Sequence, residues 1–299
     1  MTLSNARIRL LLSFVAIAAT HCADVATSMT MQPTVPARMD TGGTGCTETL
    51  GDESPRLLCV QRVSGRVTDL AGQPIAGATL TLCGAGRCID VQVSATGTFD
   101  HALNGRMDPA VFAVHGEVLA QPYAIVYATL PNVQRGIARY EEPIRLPSLS
   151  TAGTPIVSGV SSGTTLTAGD VSLTVAAGTR LTPSFADEGR MLSFRALGVA
   201  RYQGPAFAQT TPLDALYALG PAALTSSTPM RLSIRNRAEL PANTRVEFIT
   251  MGHELESDRF DAGFAKVLGT GRVTADGQRI ESDTGVGLRE LYWVGIRRR

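Results

Sequence analysis

Apolar and polar residues alternate along most of the chain with a period of two. Residues 63–69, 79–82 and 98–103 show this alternation, and short runs rich in glycine, proline and aspartate separate such segments. Successive side chains of a β-strand point to opposite faces of its sheet, so the alternation predicts strands with one buried face. We therefore expect an all-β protein with short strands and frequent turns.

One predicted hairpin carries a cysteine on each strand. Residues 79–83 and 88–93 alternate in the same way around a predicted four-residue loop, which places Cys83 opposite Cys88. In this register the leucine, isoleucine and valine side chains share the inner face and both cysteines point outward. The hairpin therefore predicts a disulfide between Cys83 and Cys88.

The number of cysteines supports this pairing. The chain has five cysteines, and setting Cys22 aside leaves an even set of four, with Cys46 and Cys59 as the second predicted pair. The alternative is a zinc site, but a Cys-x4-Cys pair with no nearby histidine lacks the usual ligand set.

The first residues have the pattern of an export signal. Residues 1–9 contain Arg7 and Arg9 and no acid, and residues 10–19 read LLLSFVAIAA. This apolar run of about ten residues is too short to span a bilayer, which needs about 20, but it suits the core of a signal peptide.

Two processing routes remain open after this run. Ala19 and Thr20 are small residues suited to a lipoprotein signal ending at Cys22, although His21 occupies a position that normally holds a small residue. The other route is ordinary cleavage after Ala18. Lipidation of Cys22 would attach the protein firmly to a membrane.

Composition changes along the chain and predicts its domains. Residues 1–22 are the signal, residues 23–57 form a flexible linker rich in Thr, Gly, Pro and Ala, and residues 58–148 and 149–299 form two domains.

The first predicted domain contains a recurring set of turn and strand residues: Gly65, Val67, Asp69, Gly72, Pro74, Gly77, Ala78, Leu80, Gly97 and Phe99. This set resembles the carboxypeptidase regulatory-like domain, a transthyretin-like β-sandwich, although Ser94 and Ala95 stand where that family usually has Thr-Asp. The resemblance implies structural roles, with the glycines serving turns and Pro74 fixing a loop, and it carries over no catalytic residue.

The second predicted domain has strands at residues 171–175, 191–199, 213–219, 230–234, 245–251, 272–274 and 291–296. The segments 171–179, 216–221, 229–232 and 240–246 resemble the β-sandwich of ankyrin and netrin-receptor type. We thus predict two β-sandwich domains in tandem.

Charge and composition exclude some partners. The 27 basic and 26 acidic residues leave a net charge of +1, so the chain as a whole offers no polycationic field for nucleic acid. Only 18% of residues are charged, while Gly and Pro number 30 and 16, which suits a turn-rich exported protein.

Two short motifs resemble catalytic signatures. Residues 159–163 read Gly-Val-Ser-Ser-Gly, but a serine nucleophile elbow needs a strand before it and a helix after it, so we interpret Ser161 as a chance match. His253 and Glu254 begin like a zinc-protease helix, but Ser257 stands where the second histidine is required.

Other residues have both a functional and a structural interpretation. Asp258, Asp261, Asp276 and Asp283 could supply oxygen ligands to calcium, but turns alone explain them. The sole tryptophan, Trp293, follows Tyr292 and could stack on a sugar ring, but we favour a core position. The terminal segment 297–299, Arg-Arg-Arg, is expected to be frayed and solvated rather than a binding patch.

These observations favour a non-catalytic, exported protein of a bacterial cell envelope, a lipoprotein anchored through Cys22 with a structural or adhesive role. No enzyme activity, metal or cofactor is expected, and the expected contacts are a membrane and a cell-surface protein or glycan. The alternative is a carbohydrate- or peptide-binding accessory module of an extracellular degradative system.

Overall fold

The structure is a computed structural model that describes residues 46, 48–49, 57–84, 87–108, 112–117, 122–149, 151–184, 187–253 and 261–299. All of them belong to one compact unit, Arg38–Arg299. The predicted export signal, the lipidation of Cys22 and nearly all of the linker at residues 23–57 lie outside the described residues.

The predicted fold class is confirmed. About 54% of the described residues are in strands and 4% are in helices. The arrangement as two tandem sandwiches, with a boundary between residues 148 and 149, stays a prediction. No helix within the described part of the chain has the length and apolar character needed to cross a membrane.

The N-terminal strands form two sheets. A six-stranded sheet has the order β1-β5-β2-β9-β8, with β10 also paired to β2, and a four-stranded sheet has the order β4-β3-β6-β7. The strands are β1 Glu48–Thr49, β2 Leu58–Thr68, β3 Thr79–Gly84, β4 Arg87–Val91, β5 Thr98–Met107, β6 Phe112–Glu117, β7 Val126–Thr129, β8 Val133–Gln134, β9 Ile137–Arg139 and β10 Ile144–Arg145.

The C-terminal strands form one large sheet and a small ladder. Among the described residues these strands are β11 Pro155–Ile156, β12 Gly159–Val160, β13 Thr164–Ala168, β14 Val171–Val175, β15 Arg180–Thr182, β16 Leu192–Ser193, β17 Arg195–Gly198, β18 Ala215–Gly220, β19 Thr225–Arg235, β20 Arg245–Met251, β21 Ala265–Val273, β22 Arg279–Ser282, β23 Leu288–Glu290 and β24 Trp293–Arg298. The long path of the large sheet is β12-β15-β19-β22-β21-β20-β24-β18-β17, while β11 pairs with β16. A 3-10 helix, Arg201–Gln203, and helix α1, Ala206–Thr210, precede β18.

Most predicted strands of this region exist, and two have the predicted bounds. The strands predicted at residues 171–175 and 245–251 coincide with β14 and β20. The strand predicted at residues 191–199 is divided into β16 and β17 at Phe194. This residue separates the two strands in sequence, and its side chain is buried. The one predicted at residues 272–274 is the end of β21, which begins earlier than its polar and glycine-containing sequence suggests.

The turn residues of the first resemblance have structural roles that can be read from their contacts. Asp69 Oδ1 accepts hydrogen bonds from the backbone N–H groups of Ala71 and Gln73, which closes the turn after β2. Gly97 has φ +74°, and a Cβ there would lie 2.5 Å from the carbonyl oxygen of Val67. This turn therefore requires glycine.

Gly65 lies in β2, within the strand predicted at residues 63–69, so it does not serve a turn as the resemblance implies for its glycines. A Cβ there would come within 2.7 Å of the ring of Phe99. The missing side chain makes room for Phe99, which packs against Tyr140 with ring centroids 6.0 Å apart. The absence of a Cβ is thus used for packing.

Two groups of buried apolar residues form the core. One is built entirely from C-terminal strands and includes Leu173, Leu232 and Phe248. The other joins both parts of the chain, because Val63 and Leu80 of the N-terminal sheets belong to it together with residues of β18, β20 and β24. The N-terminal and C-terminal sheets are therefore packed together through apolar contact.

The arginine-rich C-terminus is ordered, so its predicted fraying is wrong. Strand β24 lies between β20 and β18 and extends to Arg298. Arg297 forms an ion pair with Glu247, and Arg298 forms one with Asp214 at 2.9 Å. The backbone N–H of Arg299 donates to the carbonyl oxygen of Arg245, so even the last residue continues the sheet.

Candidate functional site

The predicted pairing of Cys83 with Cys88 is confirmed. The two residues are bonded and lie opposite each other in the ladder of β3 and β4. The predicted loop is too long, because Gly84 and Arg87 also pair. The two cysteines share one face of the hairpin, but only Cys88 is exposed, since Cys83 is 2% exposed.

The structure also bonds Cys46 to Cys59. This disulfide links the short strand β1 region to β2, the central strand of the six-stranded sheet. Both disulfides lie in the N-terminal sheets.

Ser161 does not occupy a nucleophile elbow. It follows β12, and the next element after it is strand β13 rather than a helix. Its Oγ accepts a hydrogen bond from the N–H of Gly163 at 3.0 Å, so the hydroxyl closes a local turn. This geometry agrees with the interpretation of the motif as a chance match.

His253 contacts an acidic and an aromatic side chain. Its Nε2 lies 2.5 Å from Oε2 of Glu290, and its ring stacks on Tyr292 with centroids 5.1 Å apart. Oε2 of Glu290 is buried and has no directed hydrogen bond within the described chain. Glu254 and Ser257 lie outside the described residues.

The aspartates considered as calcium ligands have other contacts. Asp261 forms an ion pair with Lys266 at 3.0 Å, and Thr270 donates a hydrogen bond to Asp283 at 2.7 Å. Hydrogen bonds from the hydroxyl of Thr274 and the N–H of Gln278 lower the pKa of Asp276. Asp258 is not described, and nowhere in the described ranges do three His, Cys, Asp or Glu side chains form a group able to hold a metal ion.

The core position predicted for Trp293 is confirmed. Its side chain is 0% exposed, and its Nε1 donates a hydrogen bond of 2.7 Å to the carbonyl oxygen of Ile125. Trp293 belongs to the core that joins the N-terminal and C-terminal sheets, together with Ile249 and Met251 of β20. A sugar cannot stack on an indole that is covered on this scale.

The same sheet face continues beyond Trp293 as a polar, exposed surface. Because side chains alternate, Arg297 shares the face of Trp293 on β24, and Arg245 and Glu247 share the face of Ile249 on β20. Cross-strand pairs extend this surface over β21, β22 and β19. We call it the arginine face, and its charged members are Arg231, Arg235, Arg245, Glu247, Arg272, Arg279, Glu281, Asp283, Arg297 and Arg299.

The arginine face contains two pairs of directly opposed arginines. Arg245 on β20 is the partner of Arg272 on β21, and Arg235 on β19 is the partner of Arg279 on β22. Directly opposed side chains in a sheet have Cβ atoms about 5 Å apart, and like charges there are destabilising.

The carboxylates of the face do not neutralise all of its arginines. Seven arginines stand beside three acids, so four positive charges are in excess. Glu281 binds Arg231 at 2.9 Å, Glu247 binds Arg297 at 2.5 Å, and Asp283 lies 3.6 Å from Arg245. Within the described chain, Arg235, Arg272 and Arg279 form no ion pair with an acid.

Hydroxyl groups extend the face beyond β19. Thr167 and Ser172 are hydrogen-bonded to each other on β13 and β14, and Arg279 donates to Ser172 and to Ser233. A shallow polar cavity of about 410 Å³ is lined by Arg235 together with Arg237, Glu239 and Asp276. Arg237 is held there by both carboxylate oxygens of Asp170.

Sequence reasoning missed this face because its arginines come from five separate strands. The signal that could have found it is the alternation within each strand, in which Arg231 and Arg235 or Arg245 and Glu247 share one face. The strand order that brings the opposed pairs together is set by the fold.

Comparisons with known proteins do not assign the chain to a family. No protein-family model matches it, and no curated protein matches it. Two solved structures show similarity at 14% identity and a TM-score of 0.21. They are a DUF3823 family protein from Parabacteroides merdae ATCC 43184, with 77% of this chain and 98% of that chain covered, and a DUF3823 family protein from Bacteroides ovatus ATCC 8483, with 81% and 91% covered. Similarity at this TM-score carries no argument about the chain.

Proposed function

We propose that this is a non-catalytic, exported protein of a bacterial cell envelope, held at a membrane through Cys22 and acting through surface contacts. The observation that carries the proposal is the pair of disulfides, Cys46–Cys59 and Cys83–Cys88. Structural disulfides form and persist in oxidising compartments and are rare in the cytosol. The apolar run at residues 10–19 agrees with export.

The packing of the sheets supports a structural or adhesive role. The core around Trp293 fastens the N-terminal sheets to the C-terminal sheet, so the protein presents its surfaces from one body. Its arginine face lies beside this junction and is exposed. A fixed, broad and polar sheet surface suits binding to an extended partner better than it suits enclosing a small substrate.

The alternative function is a carbohydrate- or peptide-binding accessory module. Trp293, the aromatic residue that could have stacked on a sugar ring, is buried and cannot contribute to it. Any contact with a glycan would have to use another surface.

The anchor can be tested by labelling cells with a fatty acid and fractionating them. The wild type is expected to carry the label and to sediment with membranes, whereas Cys22→Ser should be unlabelled. Cys88→Ser is the matched control, because it removes a cysteine that we assign to a disulfide and should keep the label. An unlabelled, soluble wild type would contradict anchoring through Cys22.

Export is tested separately by the N-terminus and the thiols of the purified protein. Cleavage after Ala18 without a label would support export and exclude the lipid anchor. Thiol titration of the unfolded protein should find Cys46, Cys59, Cys83 and Cys88 oxidised. An uncleaved protein with four free thiols would overturn the proposed location.

A further inference from the structure

We propose that the arginine face binds an acidic polysaccharide, with uronate carboxylates bound at its opposed pairs of arginines. This inference rests on the proposed location outside the cytosol, since that is where the chain would meet such a polymer. It names the chemistry of the partner for the surface contacts proposed above.

The first argument is the unfavourable placement of the arginines. Arg235 opposes Arg279 and Arg245 opposes Arg272, although like charges across a ladder reduce the stability of a sheet. Arg272 also lies opposite Glu281 on its other side, but that carboxylate is bonded to Arg231. Arg279 already donates to Ser233 and Ser172, and Arg245 lies 3.6 Å from Asp283, so Arg235 and Arg272 are the members of the two pairs that lack such a partner within the described chain. A carboxylate bound at Arg235 or at Arg272 would offset the repulsion within its pair.

The second argument is the chemistry of the guanidinium group. Arginine offers planar, paired N–H donors that match a carboxylate with two parallel hydrogen bonds. Arg235 and Arg272 are exposed and form no ion pair with an acid among the described residues. A carboxylate-bearing polymer would supply the acceptors that they lack.

The third argument is the shape and extent of the surface. Seven neighbouring strands carry it, from β13 through β14, β19, β22, β21 and β20 to β24. Six spacings of about 4.8 Å give a length of roughly 29 Å. This length could accommodate several sugar units laid across the strands, with the hydroxyls of Thr167 and Ser172 available for their hydroxyl groups.

The composition of the face favours a polysaccharide over a folded protein. Stable protein interfaces usually depend on a few buried aromatic or aliphatic side chains. The named residues of this surface are arginines, acids, serines and threonines, and the exposed Val267 lies at its border, opposite Ile249. Its excess of four positive charges instead complements a regularly charged, strongly hydrated polymer.

The test measures binding of the purified full chain to polygalacturonate, with neutral dextran as the comparison polymer. The variant Arg235→Gln/Arg272→Gln removes one arginine from each opposed pair. Its matched control, Arg66→Gln/Arg180→Gln, removes two exposed arginines that lie outside the face. Both variants lose the same charge, so a difference between them reports position rather than net charge.

The wild type and the control should bind polygalacturonate at about 50 mM salt with affinities within about twofold of each other. The Arg235→Gln/Arg272→Gln variant should bind at least about tenfold more weakly, which corresponds to about 1.4 kcal/mol. Binding of the wild type should weaken as salt rises, because screening reduces attraction between exposed charges. Circular dichroism should show that both variants remain folded.

Equal weakening in both variants, or no binding of the wild type at low salt, would overturn the proposal. Tighter binding to double-stranded DNA or to anionic lipid vesicles would also overturn it, in favour of a different polyanion. None of these results depends on Cys22. Failure of the fatty-acid labelling would therefore remove the anchor without deciding the binding, and loss of binding would leave the anchor intact.

Discussion

The two ends of one face of the large sheet differ in their exposure to solvent. At one end, Ile249 and Met251 of β20 and Trp293 of β24 are covered by the N-terminal sheets. At the other end of the same strands, the side chain of Arg245 is 56% exposed and that of Arg297 is 34% exposed. Side chains alternate in the same way at both ends. The change from apolar, covered residues to polar, more exposed residues therefore occurs along the strands, within one face of the sheet.

This difference shows how one sheet can serve both assembly and contact. Burying the apolar end stabilises the protein by removing hydrocarbon surface from water. Burying the polar end would be unfavourable, because its excess of guanidinium groups would lose their hydration. The charged end of the sheet therefore stays exposed, where it can contact a partner.

The largest expected effect on stability is that of Trp293→Ala, a substitution at the covered end of the sheet face. This change removes a fully buried indole and its hydrogen bond to Ile125, and should lower the free energy of unfolding by about 3–5 kcal/mol. Urea unfolding followed by circular dichroism measures the change. Val267→Ala on β21, where the side chain is 59% exposed, is the control and should change it by less than about 0.5 kcal/mol. Equal effects of the two substitutions would mean that Trp293 does not hold the junction.

A smaller effect is expected at the border of the covered end with His253→Ala. The substitution leaves the buried Oε2 of Glu290 without its contact and removes the ring stacked on Tyr292. Because the side chains of His253 and Glu290 are both partly exposed, we expect a loss of about 1 kcal/mol in urea unfolding. The double variant His253→Ala/Glu290→Leu should recover part of this loss. Failure to recover any stability would argue against the unpaired carboxylate as its cause.

At the exposed end, Arg235→Glu should raise stability. The new carboxylate would face Arg279 across the ladder and replace a repulsion with an attraction, worth about 0.2–1 kcal/mol at low salt. Arg235→Gln should give a smaller gain, since it removes only the repulsion. High salt should shrink both gains because the charges are exposed. A loss of stability with Arg235→Glu would show that Arg235 is there for structure rather than for binding.

The smallest effect concerns acid stability at the end of β21. The pKa of Asp276 lies below its ordinary value of 3.8, because Thr274 and the backbone of Gln278 donate hydrogen bonds to its ionised form. Its contribution to stability is therefore present above that ordinary value and is lost as the pH falls through the lower pKa. Asp276→Asn should lose less stability than the wild type between pH 7 and acid pH. Parallel pH profiles of the two proteins would contradict this assignment.

The local pattern of the sequence predicts the strands and one disulfide well, for a physical reason. Alternation within a strand and the register of a short hairpin depend on neighbours in the chain, so β14, β20 and the opposition of Cys83 and Cys88 could be read directly. The exposure of the cysteines could not be predicted, because Cys83 is 2% exposed on a strand that pairs with β6 as well as with its hairpin partner β4.

Predictions failed where the outcome depends on distant strands. The segment at residues 297–299 reads as a solvated tail, but β20 and Glu247 hold it in the sheet. Gly65 lies in a predicted strand, but the sequence gives no sign that it makes room for the ring of Phe99 from the neighbouring strand. Each depends on a partner that lies more than 30 positions away in the chain.

The sequence by itself determined that this protein is built from β-strands and that Trp293 belongs in a core. Only the tertiary structure decided that this core joins the N-terminal and C-terminal sheets, and that arginines from five strands meet on one exposed face. Period and side-chain type are local properties of the chain, whereas strand order brings together residues that are far apart in sequence. The arginine face depends on strand order, because the net charge of +1 of the whole chain does not reveal a local excess of positive charge drawn from five strands.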